Sequence, residues 1–262
     1  MTALAKVVVL GVVQGLTEFL PVSSSGHLVL VKHWLGLDAP GVTLEVALHA
    51  GTLVSILVYY ARSIRQLAVE AVRGSGEGRR YAALIGVSCV PAVLVYALLN
   101  DSIEQAFADP GLAAAMLCVT GVVLLTLLFR RDDGSSAGRL AWGQALAIGA
   151  GQALALLPGI SRSGMTVTAG RHLKLAPLEA ARFSLLMSVP LLAAATLLKG
   201  ISLGRADMGD MTVWALAVGA SVSAVTGYAA IALLVRALTH HLFWVFGIYC
   251  LLVGAVTLVG GL

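Results

Sequence analysis

Residues 11–30 read GVVQGLTEFLPVSSSGHLVL, an apolar run carrying Gln14 and Glu18, a stop at Pro21, a polar cluster from Ser23 to His27, and a new apolar run. A membrane-spanning helix needs about 20 mostly apolar residues. The first limb, 3–20, approaches that length, but the second, 28–37, is too short to cross. The whole stretch 3–37 therefore reads as a re-entrant hairpin of two half-helices around a polar break. Non-helical backbone at membrane depth persists only where it is buried in protein or lines a wet cavity.

A second stretch repeats the plan. LLPGISRSGMTVTAG at 156–170 stops at Pro158, passes through GISRSG and resumes, so 140–173 reads as a second hairpin. A shift of 138 residues lays the first hairpin on the second without a gap. Gly11 falls on Gly149, Gln14 on Gln152, Leu16 on Leu154, Ser23 on Ser161, Ser25 on Ser163 and Gly26 on Gly164. Apolar identities arise cheaply, but the polar ones do not, so the chain reads as an internal repeat.

Working outward, six runs reach spanning length: 44–60, 81–99, 112–129, 183–199, 212–235 and 242–261. The expected architecture is an all-α polytopic membrane protein of two repeats, 1–130 and 139–262, each one hairpin plus three spans. The loop at 61–80 carries Arg62, Arg65, Arg73, Arg79 and Arg80 and is assigned to the cytoplasm, where basic loops accumulate. The 100–111 loop has Asp101, Glu104 and Asp109 with no Lys or Arg and is assigned outside; 130–139 returns to the cytoplasm. On this reading the first hairpin enters from outside and the second from the cytoplasm. Three spans per repeat is an odd number, so the halves are inverted. Transporter folds are built this way, with the site where the broken helices meet.

Composition agrees. The 262 residues are 59% hydrophobic and 11% charged, with a mean hydropathy of +0.94. Soluble domains carry about 25% charged residues. The formal charge of +4 reads as membrane-flanking Arg and Lys. No basic run is interleaved with aromatics, so nucleic acid is set aside as a partner. Cys89, Cys118 and Cys250 each sit in an apolar run and read as packing residues. The N-terminal apolar stretch lacks a small-residue cleavage site and is expected to be retained.

The chemistry sits in the two breaks. Gln14 and Glu18 are four apart and share one helix face. A carboxylate at membrane depth costs about 2.5–3.5 kcal/mol on insertion scales, so it marks function by default, although a Glu near a helix end can also reach the interface. Arg162 offers a planar fork of donors suited to phosphate oxygens. The hydroxyls of Ser161, Ser163 and Thr166 surround it, and Gly159 and Gly164 let backbone approach a ligand. Each break leads into a helix start, whose first N–H groups favour anions. Two such starts meeting suit a phosphate or diphosphate. Small residues also serve ordinary helix packing, which explains single serines but not SSSGH and SRSG at matched positions. His27 lies one turn from Ser24 and is a candidate acid, base or nucleophile. Glu45 and His49, at the start of a span, rank lower.

With these motifs the chain strongly resembles the undecaprenyl-diphosphatase family, whose activity was first known as bacitracin resistance. EVALHAGTL at 45–53 and ARFSLLMSVP at 181–190 extend the resemblance along essentially the whole chain. The resemblance implies a multi-pass enzyme of the bacterial inner membrane. It would remove the terminal phosphate of undecaprenyl diphosphate, a polyprenyl lipid substrate, and so regenerate the carrier for cell-wall precursors. It also implies a divalent cation, magnesium or calcium. By residue matching, Gln14 and Glu18 fill the family's [E/Q]xxxE motif, and Pro158, Gly159, Ser161, Arg162, Ser163 and Thr166 fill PGxSRSxxT. His27 matches the essential histidine. Many members carry Glu where this chain has Gln14, leaving Glu18 as the only motif carboxylate and metal ligand.

The expected roles are then catalytic for Glu18, Ser24, His27 and Arg162, and substrate-binding for Gln14, Ser23, Ser25, Gly26, Gly159, Ser161, Ser163, Gly164 and Thr166. Ser24 attacking with His27 as base, and His27 itself forming a phosphohistidine, both stay open. The expected partners are the lipid substrate and membrane lipid, and homo-oligomerisation is left open. The rival reading is a transporter or flippase of an anionic lipid or solute, which uses the same architecture.

Overall fold

The computed structural model describes residues 2–34, 42–73, 76–130, 140–203 and 213–260. Most of the expected 130–139 loop, the end of the first hairpin and the start of the fifth span lie outside them. Among the described residues the protein is helical throughout, with no strand.

The first hairpin is α1 (Ala3–Phe19) and α2 (Ser24–Trp34); the second is α7 (Trp142–Leu154) and α8 (Arg162–His172). The breaks fall where Pro21 and Pro158 remove a backbone donor. They are shorter than the motifs. Most of SSSGH and SRSG forms the first turns of α2 and α8 rather than loop. Between the hairpins run α3 (Val42–Tyr59), α4 (Ala61–Arg73), α5 (Gly76–Ala106) and α6 (Pro110–Leu125) with a 3-10 turn to Phe129. After them come α9 (Pro177–Leu203), α10 (Val213–Thr239) and α11 (Phe243–Val259).

Among the described residues four helices (α5, α6 with its 3-10 turn, α9 and α10) are long and apolar enough to cross a membrane, and α3 bent into α4 makes a fifth candidate. α11 is apolar but shorter, at 17 residues. The outer faces carry exposed Val93, Leu94, Leu98, Leu197, Leu198, Leu252 and Val256. Contiguous apolar surface on this scale is foreign to a water-soluble monomer. The protein is a polytopic membrane protein.

Two readings change. The charged stretch at 61–80 is not a loop: α4 occupies most of it, bent by 75° from α3. Ile64, Leu67, Ala68 and Ala71 line one face of α4, and Arg62, Arg65, Gln66 and Glu70 line the other. A helix of this amphipathic kind suits the membrane interface. The charges had masked its 3.6-residue period. The 100–111 segment is also mostly helical, because α5 continues to Ala106 past a kink at Leu99 (φ −125°, ψ 17°).

The hairpins are exchanged between the halves. α1 packs on α10, α7 packs on α5, and α3 lies against α9 and α10. The repeat-matched glycines make this possible. A Cβ on Gly11 would come within 2.9 Å of the Gly219 carbonyl oxygen, and one on Gly149 within 2.3 Å of the Ser88 carbonyl oxygen. Each hairpin is thus held by a span of the other half, which brings the two breaks together in the interior.

Candidate functional site

The hairpin tips touch. A Cβ on Gly26 would lie 2.9 Å from Gly159 Cα, and the Ser163 hydroxyl donates to the Leu20 carbonyl across the gap (3.0 Å). Both tips use the same cap. Ser23 Oγ accepts from the Gly26 amide (3.2 Å), and Ser161 Oγ accepts from the Gly164 amide (3.1 Å). The Ser23–Ser25 and Ser161–Ser163 hydroxyls pair at 3.2 and 3.3 Å. The matched serines therefore hold backbone first. One orphan amide of each helix start is consumed by its cap, leaving the amides of Ser24, Ser25, Arg162 and Ser163 without an intrahelical acceptor ahead of them.

The second tip is braced by α6. Thr120 Oγ1 donates to the Gly159 carbonyl (2.8 Å) and accepts from the Ser161 amide (3.0 Å). Gly159 sits at φ +93°, and a Cβ there would meet the Ala113 carbonyl oxygen at 2.1 Å, so only glycine fits. Thr120 carried no signal in the sequence, being one hydroxyl in an apolar span.

Glu18 is the hub. Its Oε1 accepts from Arg162 Nη2 (2.6 Å); its Oε2 accepts from Ser24 Oγ (2.7 Å) and from Gln14 Nε2 (3.0 Å). His49 Nε2 stands 4.0 Å from the same Oε2. The Glu18 side chain is only 7% exposed and that of Arg162 16%, so the pair is desolvated. Breaking such a pair by removing one partner costs about 3–5 kcal/mol. Two buried atoms at this hub have no protein partner, Arg162 Nη1 and Gln14 Oε1. An unsatisfied buried polar atom costs about 1–3 kcal/mol, more when charged. A ligand bearing oxygens would satisfy the guanidinium.

His27 is occupied differently from the expectation. Its Nδ1 lies 2.9 Å from the Ser23 carbonyl and its Nε2 2.8 Å from the Tyr249 hydroxyl. A carbonyl only accepts, so Nδ1 carries the proton and Nε2 accepts from Tyr249. The two rings stack at 5.6 Å with 7° between planes. Ser24 bonds Glu18 instead. The Thr166 hydroxyl is engaged within the protein, donating to the Arg162 carbonyl (2.7 Å) and pairing with Ser184 of α9 (2.6 Å). Glu45 pairs with Lys32 on α2.

The site also bears on the implied cation. No group of three His, Cys, Asp or Glu converges among the described residues. The oxygens present, Glu18, Ser24 Oγ and the unpartnered Gln14 Oε1, are hard donors too few for an all-protein cage. A divalent cation, magnesium or calcium, would be held there by these oxygens together with those of substrate phosphates.

The sequence profile described as "Bacitracin resistance protein BacA" matches residues 7–256. The chain belongs to that family. Similar BacA relatives include the protein of Desulfosudis oleivorans (strain DSM 6200 / JCM 39069 / Hxd3), 40% identical over 267 residues that cover 96% of both chains. That of Geobacter metallireducens (strain ATCC 53774 / DSM 7210 / GS-15) is 41% identical over 94% of both. That of Desulforudis audaxviator (strain MP104C) is 41% identical over 96% of this chain and 95% of its own. Each is named undecaprenyl-diphosphatase. With Gln14 in place, Glu18 is the only carboxylate of the hub among the described residues, and the Gln14 amide donates to it where a second acid would repel it.

Proposed function

We propose that this protein hydrolyses undecaprenyl diphosphate to undecaprenyl phosphate and inorganic phosphate, the activity named for its relatives. The carrying observation is the Arg162–Glu18 pair joining the two tips, with Arg162 Nη1 left unpartnered beside two helix starts. Phosphoryl transfer depends mainly on positioning and on neutralising the phosphate oxygens. Arg162 and the first-turn amides of α2 and α8 bind those oxygens.

Ser24 attacks the terminal phosphorus, aligned by its hydrogen bond to Glu18. The Ser24 oxygen–phosphorus bond forms as the bridging phosphorus–oxygen bond breaks. The hydroxyl proton passes through Glu18 to the departing lipid phosphate. Water then attacks the phosphoserine, gives hydroxide to phosphorus and a proton to Ser24, and releases inorganic phosphate. His27, clamped by Ser23 and Tyr249, holds the start of α2 in line. A divalent cation held by Glu18 and Gln14 Oε1 with the substrate would neutralise phosphate charge.

The inverted-repeat reading is part of this proposal. Its support is the matched caps, the exchanged packing of α1 on α10 and α7 on α5, and the alternation of charge along the chain. The same charges favour a first hairpin open to the outside, and an undecaprenyl lipid substrate favours the bacterial inner membrane. The test is phosphate release from a polyprenyl diphosphate by purified protein in detergent, with and without chelator. Release that stops on chelation is expected. A flippase without chemistry would release none.

A further inference from the structure

His49 has no role in the scheme above, yet α3 aims it at the hub. Its Nδ1 lies 2.8 Å from the Glu45 carbonyl, which can only accept, so Nδ1 carries the proton and Nε2 presents a lone pair. That lone pair stands 4.0 Å from Glu18 Oε2, itself an acceptor. Two acceptors facing each other beyond direct hydrogen-bond reach call for a group with two protons between them. Water has that form. In the resting site Oε2 already takes two donors, Gln14 and Ser24. A carboxylate oxygen has about two lone-pair sites, so Oε2 is then full. Once Ser24 is phosphorylated its oxygen has no proton to donate, and Oε2 regains a site.

We propose that His49 Nε2 and Glu18 Oε2 together hold the water that hydrolyses the phosphoserine. The water donates one hydrogen to each, leaving an oxygen lone pair for phosphorus beside Ser24. As its oxygen bonds phosphorus, the water gives one proton to Glu18 Oε2, the phosphorus–Ser24 bond breaks, and Glu18 passes that proton to Ser24. His49 stays neutral and acts only as an acceptor. The site thus admits its second nucleophile only after the first has reacted. The inference rests on Ser24 being the first nucleophile in the proposed hydrolysis.

The experiment is a rapid-quench time course on a polyprenyl diphosphate, following lipid monophosphate and inorganic phosphate separately. It uses wild type, His49→Ala, His49→Gln and His49→Lys, each checked for monodisperse elution in detergent. His49→Ala is expected to release about one equivalent of lipid monophosphate in a burst, then turn over at least about tenfold slower, with KM unchanged or lower. His49→Gln keeps an acceptor and is expected to recover most of the loss. His49→Lys brings a charge and only donors, and is expected to behave like His49→Ala. Wild-type rates in His49→Ala, loss of turnover without a burst, or rescue by Lys rather than Gln would each overturn the assignment. No phosphate release by wild type would instead sink the proposed hydrolysis, leaving the two failures distinct.

Discussion

Arg162 Nη2 and Glu18 Oε1 meet at 2.6 Å although 144 residues separate them, an ion pair that joins the tips of the two hairpins alongside the Ser163–Leu20 hydrogen bond. Its second guanidinium nitrogen, Nη1, has no protein partner. The pair therefore holds the structure with one arm and leaves the other for substrate. Lys at 162 keeps the charge but not the fork. Arg162→Lys is expected to elute normally in detergent and lose at least about 10²-fold in turnover, the scale of removing one charge-stabilising donor. Near-normal phosphate release would show that net charge alone suffices.

Removing the carboxylate has a structural consequence as well. Glu18→Ala strands Arg162 in a desolvated site, so it is expected to abolish hydrolysis and cost about 3–5 kcal/mol of stability. Glu18→Ala with Arg162→Met removes both charges and should recover much of that stability without activity. Thermal unfolding in detergent separates the two effects. A double variant no more stable than Glu18→Ala would mean that the pair is not the source of the cost.

Tyr249 tests how His27 works. Tyr249→Phe keeps the stacked ring and removes the proton offered to Nε2. One neutral hydrogen bond is worth about 1 kcal/mol, or roughly five-fold. His27→Ala loses the whole clamp, and misplacing the α2 start is expected to cost about 10²-fold. Equal losses from the two substitutions would put the hydroxyl itself in the chemistry.

The sequence exposed the breaks and the residues in them, because polar matches inside apolar runs stand out. Glu18, Ser24 and Arg162 do share one hub. What stayed hidden had no local signal. Tyr249 and Thr120 sit singly in apolar helices and matter only because α11 and α6 reach the tips. The caps were hidden for another reason. Ser23 and Ser161 look like ligand hydroxyls in the sequence, yet each spends its oxygen on a backbone amide. α4 was obscured by the arginines that made it look like a loop.

Gly159 tests the tip geometry. At φ +93° with Ala113 oxygen 2.1 Å from any Cβ, Gly159→Ala is expected to displace the α8 start and lower both stability and turnover. Gly143→Ala is the control, since a Cβ there meets nothing within 4 Å. Gly143 lies in the first turn of α7, so alanine there should be neutral or stabilising by less than about 1 kcal/mol. Equal melting temperatures for the two variants would remove the steric argument.

Inversion of the halves is tested by Ser102 and His240, which the 138-residue shift makes equivalent. Both are exposed, Ser102 on the last turns of α5 and His240 just after α10. In parallel repeats, matched positions face the same side of the membrane. In inverted repeats they face opposite sides. Ser102 lies among Asp101 and Glu104, and His240 follows Arg236, so the charges set Ser102 outside and His240 in the cytoplasm. Single cysteines at each position, with Cys89, Cys118 and Cys250 replaced, are to be labelled by an impermeant thiol reagent on intact cells. Ser102→Cys is expected to react from outside, and His240→Cys only after the membrane is opened. A third cysteine at exposed Val72 on α4 should behave like His240→Cys, because α5 from Gly76 to its kink at Leu99, about 35 Å long, separates it from Ser102. Labelling of positions 102 and 240 from the same side would reject the inverted arrangement, and with it the outward opening of the first hairpin.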